Sequence, residues 1–165
     1  MNDRFKYRAY ITSTIDIATS EEKEVSFYID GVAVYEDGDI GFSRDKLLDA
    51  LDKLDLTKNQ KEQIESDISE NSYCRDYDWF SIDFGEKEQC TGLKDKNGKL
   101  IYEGDIVESN FNGLGRILYN HAALTVAWKE EVYFYGHRTP STPIPLDVEN
   151  IEIIGNIHEN PELLK

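Results

Sequence analysis

Twenty residues, 89–108 (QCTGLKDKNGKLIYEGDIVE), constrain the fold of this chain more tightly than its other stretches do. Lys94 to Lys99 is charged and contains Asn97-Gly98, the pair best suited to the positive φ angles of a tight hairpin turn. Leu100-Ile101-Tyr102 then supplies strand-forming side chains, Glu103-Gly104-Asp105 interrupts them, and Ile106-Val107 resumes the strand. Gly104 lets the backbone bend sharply, and Asp105 is placed to accept from the amides that the bend frees. Glu103 and Asp105 also allow a second reading, as a carboxylate pair for acid–base or metal chemistry. That reading lacks a nearby His or nucleophile, so turn, strand, kink and strand is preferred.

A second, shorter stretch near the end, 151–164 (IEIIGNIHENPELL), repeats the theme of a β-branched run broken by glycine. Asn160-Pro161 offers a helix N-cap and first helical residue for a stub helix. Residues 91–107 and 153–164 together resemble the signature of the YopX family of phage and prophage proteins. The positions carrying the likeness are Thr91, Gly92, Asn97, Gly98, Tyr102, Gly104, Asp105, Gly155, Asn156, Asn160 and Pro161. Lys6-Tyr7-Arg8-Ala9-Tyr10 resembles that family's usual opening, whereas residues 11–88 fit it poorly. The resemblance implies an α+β protein with a barrel-like β half, encoded by a phage or prophage of a Gram-positive bacterium and forming a ring-like oligomer. It implies no activity.

The rest of the chain supplies the first half of that architecture. Residues 4–16 alternate as a strand. Two further strands, 25–29 and 32–35, are expected on either side of a tight turn at Asp30-Gly31. From Ser43 the hydrophobic period changes from two to about 3.6. Leu47, Leu51 and Leu54 share one face of a first helix, and Thr57-Lys58-Asn59-Gln60 matches a capping box for a second, through Ile64 and Ile68. The outer surface of this helical hairpin is expected to be acidic, with Asp45, Asp49, Asp52, Glu62 and Glu65 as a candidate partner-binding face. Tyr73 to Phe84 alternates as a strand covered on both faces. Three short strands, 116–119, 123–128 and 132–135, then form a meander, and three prolines make 139–145 an extended loop. The expected fold is therefore α+β and mostly β. Its N-terminal β half, 1–88, carries the helical hairpin at about 43–70, and its C-terminal half, 89–165, is a small SH3-like β-barrel.

Charge narrows the function classes. The 165 residues hold 33 acids and 18 Lys or Arg, a net −15, and the first 90 residues carry 22 of the acids. Binding nucleic acid or an anionic membrane needs clustered Lys and Arg, so neither is an expected partner. No run approaches the roughly 20 apolar residues of a membrane span. With a polar start and only Cys74 and Cys90, the chain is expected to be cytoplasmic in a bacterial host with reduced thiols; a disulfide between the two is the alternative. His121, His137 and His158 lie at no metal-ligand spacing. A calcium loop starting at Asp37 would close on Leu48, and the Gly113-Leu114-Gly115 turn lacks the third glycine of a nucleotide loop. No cofactor, metal or catalytic residue is assigned. Trp128, Tyr133, Tyr135, His137 and Arg138 form a cluster that reads either as a ligand-facing rim or as core aromatics alternating with an oligomer contact. Three functions follow. The first is a non-enzymatic accessory protein acting through protein contacts and self-assembly. The second is an acidic DNA mimic that inhibits a host DNA-binding enzyme. The third is a metal-dependent hydrolase or nuclease using Asp105 and Glu103.

Overall fold

The computed structural model describes residues 6–18, 21–35, 38–72, 79–82, 84–120, 123–143 and 148–165. The chain divides after Glu88 into two compact units. Both are built on antiparallel sheet, and the two helices lie in the first, so the fold is α+β and mostly β.

In the N-terminal unit, β1 (Tyr7–Ala18) and β2 (Glu21–Val34) form a long hairpin. It is followed by β3 (Ile40–Ser43), α1 (Arg44–Asp52), α2 (Lys58–Glu70) and β4 (Trp79–Ile82), with strand order β4-β3-β2-β1. Asp30-Gly31 is not the expected turn. Tyr7 pairs with Val32 and Arg8 with Asp30, leaving Gly31 at φ +66° as the extra residue of a β-bulge. The bulge has a purpose in packing. Strand parity would put Ile29 and Val32 on opposite faces, and the extra residue returns Val32 to the core beside Ile29.

The helices cover that core through Leu47 and Leu51 of α1 and Ile64 and Ile68 of α2, all essentially inaccessible to solvent. Ser43 occupies the N-cap of α1 but its hydroxyl makes no cap bond. Thr57 forms a full capping box, its Oγ1 accepting from the Gln60 amide at 3.3 Å while Gln60 Oε1 accepts from the Thr57 amide at 3.0 Å. Ser13 Oγ donates to Asp67 Oδ2 at 2.8 Å, tying β1 to α2. Phe80, Ser81 and Ile82 of β4 are all buried, so this strand is covered on both faces. Tyr73, Cys74 and Tyr77 lie outside the described residues.

In the C-terminal unit, the second part of β5 (Glu86–Lys94) pairs with β6 (Leu100–Tyr102). A five-stranded sheet follows, from β7 (Asp105–Ser109), β8 (Gly113–Asn120), β9 (Ala123–Phe134), β10 (His137–Pro143) and β11 (Ile151–Asn156). Its order is β10-β9-β8-β7-β11. Among the described residues no ladder joins β10 to β11, so the sheet is open and the expected closed barrel is not formed. The prolines give a physical reason: β10 contains Pro140 and Pro143, which have no N–H to offer, and such a strand belongs at an edge. The expected proline loop is thus an edge strand, and the two strands expected over 123–135 are one.

Ile101, Val107, Ile117, Val126, Trp128, Val132 and Ile151 form the core of this unit. Trp128 sits opposite Gly115 in the β8–β9 ladder and donates through Nε1 to Thr142 Oγ1 at 2.9 Å. A Cβ on Gly115 would lie 2.6 Å from Val126 Cγ1, 2.8 Å from Trp128 Cε3 and 3.1 Å from the Ala127 carbonyl oxygen. Gly115→Ala should therefore destabilise the chain by about 1–3 kcal/mol through overpacking. Urea unfolding followed by tryptophan fluorescence checks this, and an unchanged midpoint would contradict it.

Candidate functional site

The two stretches singled out by sequence meet in space. Asp95, 6% exposed, directs both carboxylate oxygens at backbone amides. Oδ1 accepts from Asn97 and Lys99, each at 2.9 Å, which closes the turn, and Oδ2 accepts from Ile153 of β11 at 3.1 Å. The Lys96 amide donates to the Ile151 carbonyl at 3.0 Å. Outside these bonds, Lys96 Nζ lies 2.5 Å from Glu152 Oε2, and Asn97 Nδ2 donates to Glu152 Oε1 at 3.2 Å. Gly98 turns the chain at φ +82° and donates to the Asp95 carbonyl.

The other signature positions serve the same junction. Tyr102 donates its amide to buried Asp105 at 2.7 Å, closing the kink at Gly104, which is at φ +82°. Gly104 donates to the Ile117 carbonyl and its own carbonyl accepts from Ile157, linking β8 to the segment after β11. Thr91 Oγ1 accepts from Leu93, and Gly92 at φ +77° lies in the register break between Cys90 and Lys94. Asn156 Oδ1 accepts from His158, while Asn160 Oδ1 accepts from the Asn156 amide at 3.3 Å. Asn160 therefore caps back on to β11 instead of capping the 3-10 turn Pro161–Leu164, where it makes no side-chain cap bond. A Cβ on Gly155 would stand 2.6 Å from that Asn160 oxygen, which accounts for the glycine.

Glu103 and Asp105 both bond backbone amides. Glu103 Oε1 accepts from the Tyr119 amide at 3.2 Å, and Asp105, 1% exposed, holds the Tyr102 amide. Among the described residues no three His, Cys, Asp or Glu gather as a metal-holding set.

The acidic hairpin is more balanced than its sequence implied. Asp52 pairs with Lys61 at 2.8 Å, Glu62 with Lys58 at 3.4 Å, and Glu65 with Arg44. Asp45 and Asp49 are exposed on α1 and have no ion pair among the described residues.

The aromatic cluster of the second sheet divides. Trp128 is buried, whereas Tyr133 and Tyr135 are 75% and 89% exposed, with His137 and Arg138 exposed beside them. Phe134 pairs with His137, so Tyr135-Gly136 is a two-residue hairpin loop. Both loop residues have positive φ, +47° and +80°, as a type I′ turn requires. Tyr135 stacks edge-on against Phe134, ring centroids 4.5 Å apart. Beside this arm, Phe111–Leu114 and Lys129–Tyr133 line an open cleft of about 700 Å³. Sequence reasoning missed the cleft; its signal was the charged Lys129-Glu130-Glu131 run between apolar residues.

These features define a mostly β protein whose signature residues join turns to strand edges, with Tyr133, Phe134 and Tyr135 exposed together on one hairpin arm. Over residues 45–165 the chain matches the family model described as YopX protein, and it belongs to the YopX family. The match takes in the helical hairpin and β4, a region that shares no legible motif with the family, and it leaves out the Lys6–Tyr10 opening. No curated protein matches the chain in sequence.

Burial pushes the Asp95 carboxyl up, but the amides of Ile153, Lys99 and Asn97, together with the Lys99 charge, outweigh it and hold the group below its ordinary value. The folded chain thus binds fewer protons than the unfolded chain just below about pH 3.9. The stabilisation is fully present above that pH and is lost as pH falls through the folded value. Asp95→Asn replaces one acceptor by a donor facing an amide, and should cost about 2 kcal/mol at neutral pH. It should also flatten the acid limb of stability below about pH 4. Chemical denaturation at a series of pH values measures both, and an unchanged acid limb would remove Asp95 as its source.

Proposed function

We infer that this protein is a phage- or prophage-encoded accessory protein that acts without catalysis or cofactor, through protein–protein contacts and self-assembly in the bacterial cytoplasm. The observation carrying this reading is Tyr135. A non-glycine residue in the left-handed region costs roughly 1–2 kcal/mol, and at this turn position Asn, Asp or Gly is preferred. Here a tyrosine holds that conformation and leaves its ring 89% exposed. Folding gains from that choice only the edge-on contact with Phe134, while a contact surface gains a large rigid ring with a polar tip. Strain at an exposed position is a reason to look for function there.

Membership of the YopX family supports a phage-type role. The strand order supports an SH3-like origin for the C-terminal unit: a four-strand meander, a 3-10 turn at Val148–Asn150, and a fifth strand returning beside the first. The DNA-mimic reading draws on Asp45 and Asp49 alone, since Asp52, Glu62 and Glu65 are each paired with a cation. The hydrolase reading draws less, since the Glu103 and Asp105 carboxylates bond backbone amides.

Tyr135→Asn separates folding from contact. It should raise stability by about 1 kcal/mol, read as a higher melting temperature, and at the same time weaken self-association in sedimentation velocity. A variant that assembles like the parent would overturn the role given to the arm, and a parent that stays monomeric at high concentration would overturn self-assembly.

A further inference from the structure

Alternate turns of an antiparallel meander lie at the same end of its sheet, so the β7–β8 and β9–β10 tips are neighbours. The Ser109–Gly113 pair closes the first tip, with Gly113 at φ +71° and the Phe111 amide donating to Ser109 Oγ at 3.3 Å. That turn leaves the Phe111 ring 79% exposed. The second tip carries Tyr133, Phe134 and Tyr135. Among the described residues, these four are all but one of the large apolar side chains that are exposed, and such clustering marks a contact surface. The open cleft lies here, lined by Phe111, Leu114, Val132 and Tyr133 together with residues 129–131.

A bulge puts charge into that cleft. Residues 128–131 of β9 stand opposite Pro140 alone, between the Ala127–Ser141 and Val132–Thr139 pairs. The arch breaks the alternation of strand side chains, so Lys129, Glu130 and Glu131 are exposed in succession and all three line the cleft. Lys129 is occupied, its Nζ donating to the Leu163 and Lys165 carbonyls at 3.4 and 2.5 Å. Glu131 lies 3.4 Å from Arg138, and Glu130 has no cation among the described residues. The lining thus joins exposed aromatic rings to an uncompensated carboxylate. A cation with a flat, weakly hydrated face satisfies both, and a guanidinium is such a group, stacking on a ring while its edge donates to a carboxylate. A second copy of this chain would bring a net −15 to an acidic face.

We propose that this cleft receives an exposed arginine side chain of a partner protein, its guanidinium held by the Glu130 carboxylate and stacked on the Tyr133 or Phe111 ring. The arch supplies the charge and the two hairpin tips supply the rings, so the site needs no backbone pairing with the guest. The assignment rests on reading the protein as one that works by protein contacts, and supplies the chemistry of the partner.

The test titrates the full chain with the end-capped tripeptide Gly-Arg-Gly and follows backbone amide chemical shifts by NMR, which reads weak binding. The comparison is the same tripeptide with citrulline, which keeps the shape of arginine and removes its charge. The expected result is saturable shifts at residues 111–114 and 129–133 with arginine and none with citrulline. Glu130→Gln and Tyr133→Leu should each weaken binding about fivefold. Glu130→Gln should leave the melting temperature unchanged, since Glu130 is exposed and has no ion pair among the described residues. Absence of saturation, equal shifts with citrulline, or indifference to both substitutions would each overturn the proposal. Sedimentation velocity of the same samples reads assembly separately. A silent cleft in a chain that assembles sinks this assignment alone, and arginine bound to a strict monomer sinks self-assembly alone. An assembly that dissociates as the arginine tripeptide saturates would give the cleft to a second copy and overturn the partner assigned to it.

Discussion

The C-terminal unit depends on one carboxylate. Asp95 is nearly inaccessible, yet three backbone amides converge on it, two from its own turn and one from a strand nearly 60 residues further along. A buried charge is costly unless its lone pairs are used, and here both oxygens are. The arrangement also fixes register. With the Ile153 amide held by Oδ2 and the Ile151 carbonyl by Lys96, β11 can slide along β7 only by breaking both bonds at once. A one-residue slip would turn Ile151 out of the core. The Gly104 kink makes the second anchor, through Ile157. This explains why the recognisable motifs sit in two separated stretches: they are the two sides of one junction.

Local signals were legible in the sequence, and non-local ones were not. The helical hairpin was readable because a 3.6 period and a Thr57–Gln60 capping box are properties of neighbouring residues. The Asn97-Gly98 turn was readable for the same reason. Asp30-Gly31 carries equally good turn chemistry and forms a bulge, because Tyr7 and Arg8, more than 20 residues earlier, hold both flanks in one ladder. The charged Lys129-Glu130-Glu131 run resembled a connection between two strands. It is instead part of a single strand, the bulge opposite Pro140 between the Ala127–Ser141 and Val132–Thr139 pairs. In the same way, composition could not show that Pro140 sits where the β9–β10 register breaks, a position at which its missing N–H costs little.

For the candidate contact surface, the residues were visible but their division was not. Trp128 and Tyr133 look alike as strand aromatics five positions apart, and strand parity puts them on opposite faces. Which one is buried was decided by Gly115, which clears space over the β8–β9 ladder, and by Thr142, which receives the indole N–H. Tyr135 read as the end of a strand. Its left-handed backbone follows from the two-residue loop that Phe134–His137 pairing imposes, and that pairing is again tertiary.

The helices and the arm present contrasting surfaces. The hairpin stands on Leu47, Leu51, Ile64 and Ile68, whose burial outweighs its surface ion pairs, each worth at most about 1 kcal/mol. Those pairs lower the negative field of the face they occupy, so three of its five candidate acids present little that resembles a row of phosphates. Asp45 and Asp49 stay exposed there without an ion pair among the described residues. The β9–β10 arm runs the other way. It leaves Tyr133 and Tyr135 in water and holds Tyr135 in a conformation that other residues adopt more easily. Neither ring belongs to the core of the sheet beneath. A strained turn carrying an exposed ring is the feature of this surface that folding explains least.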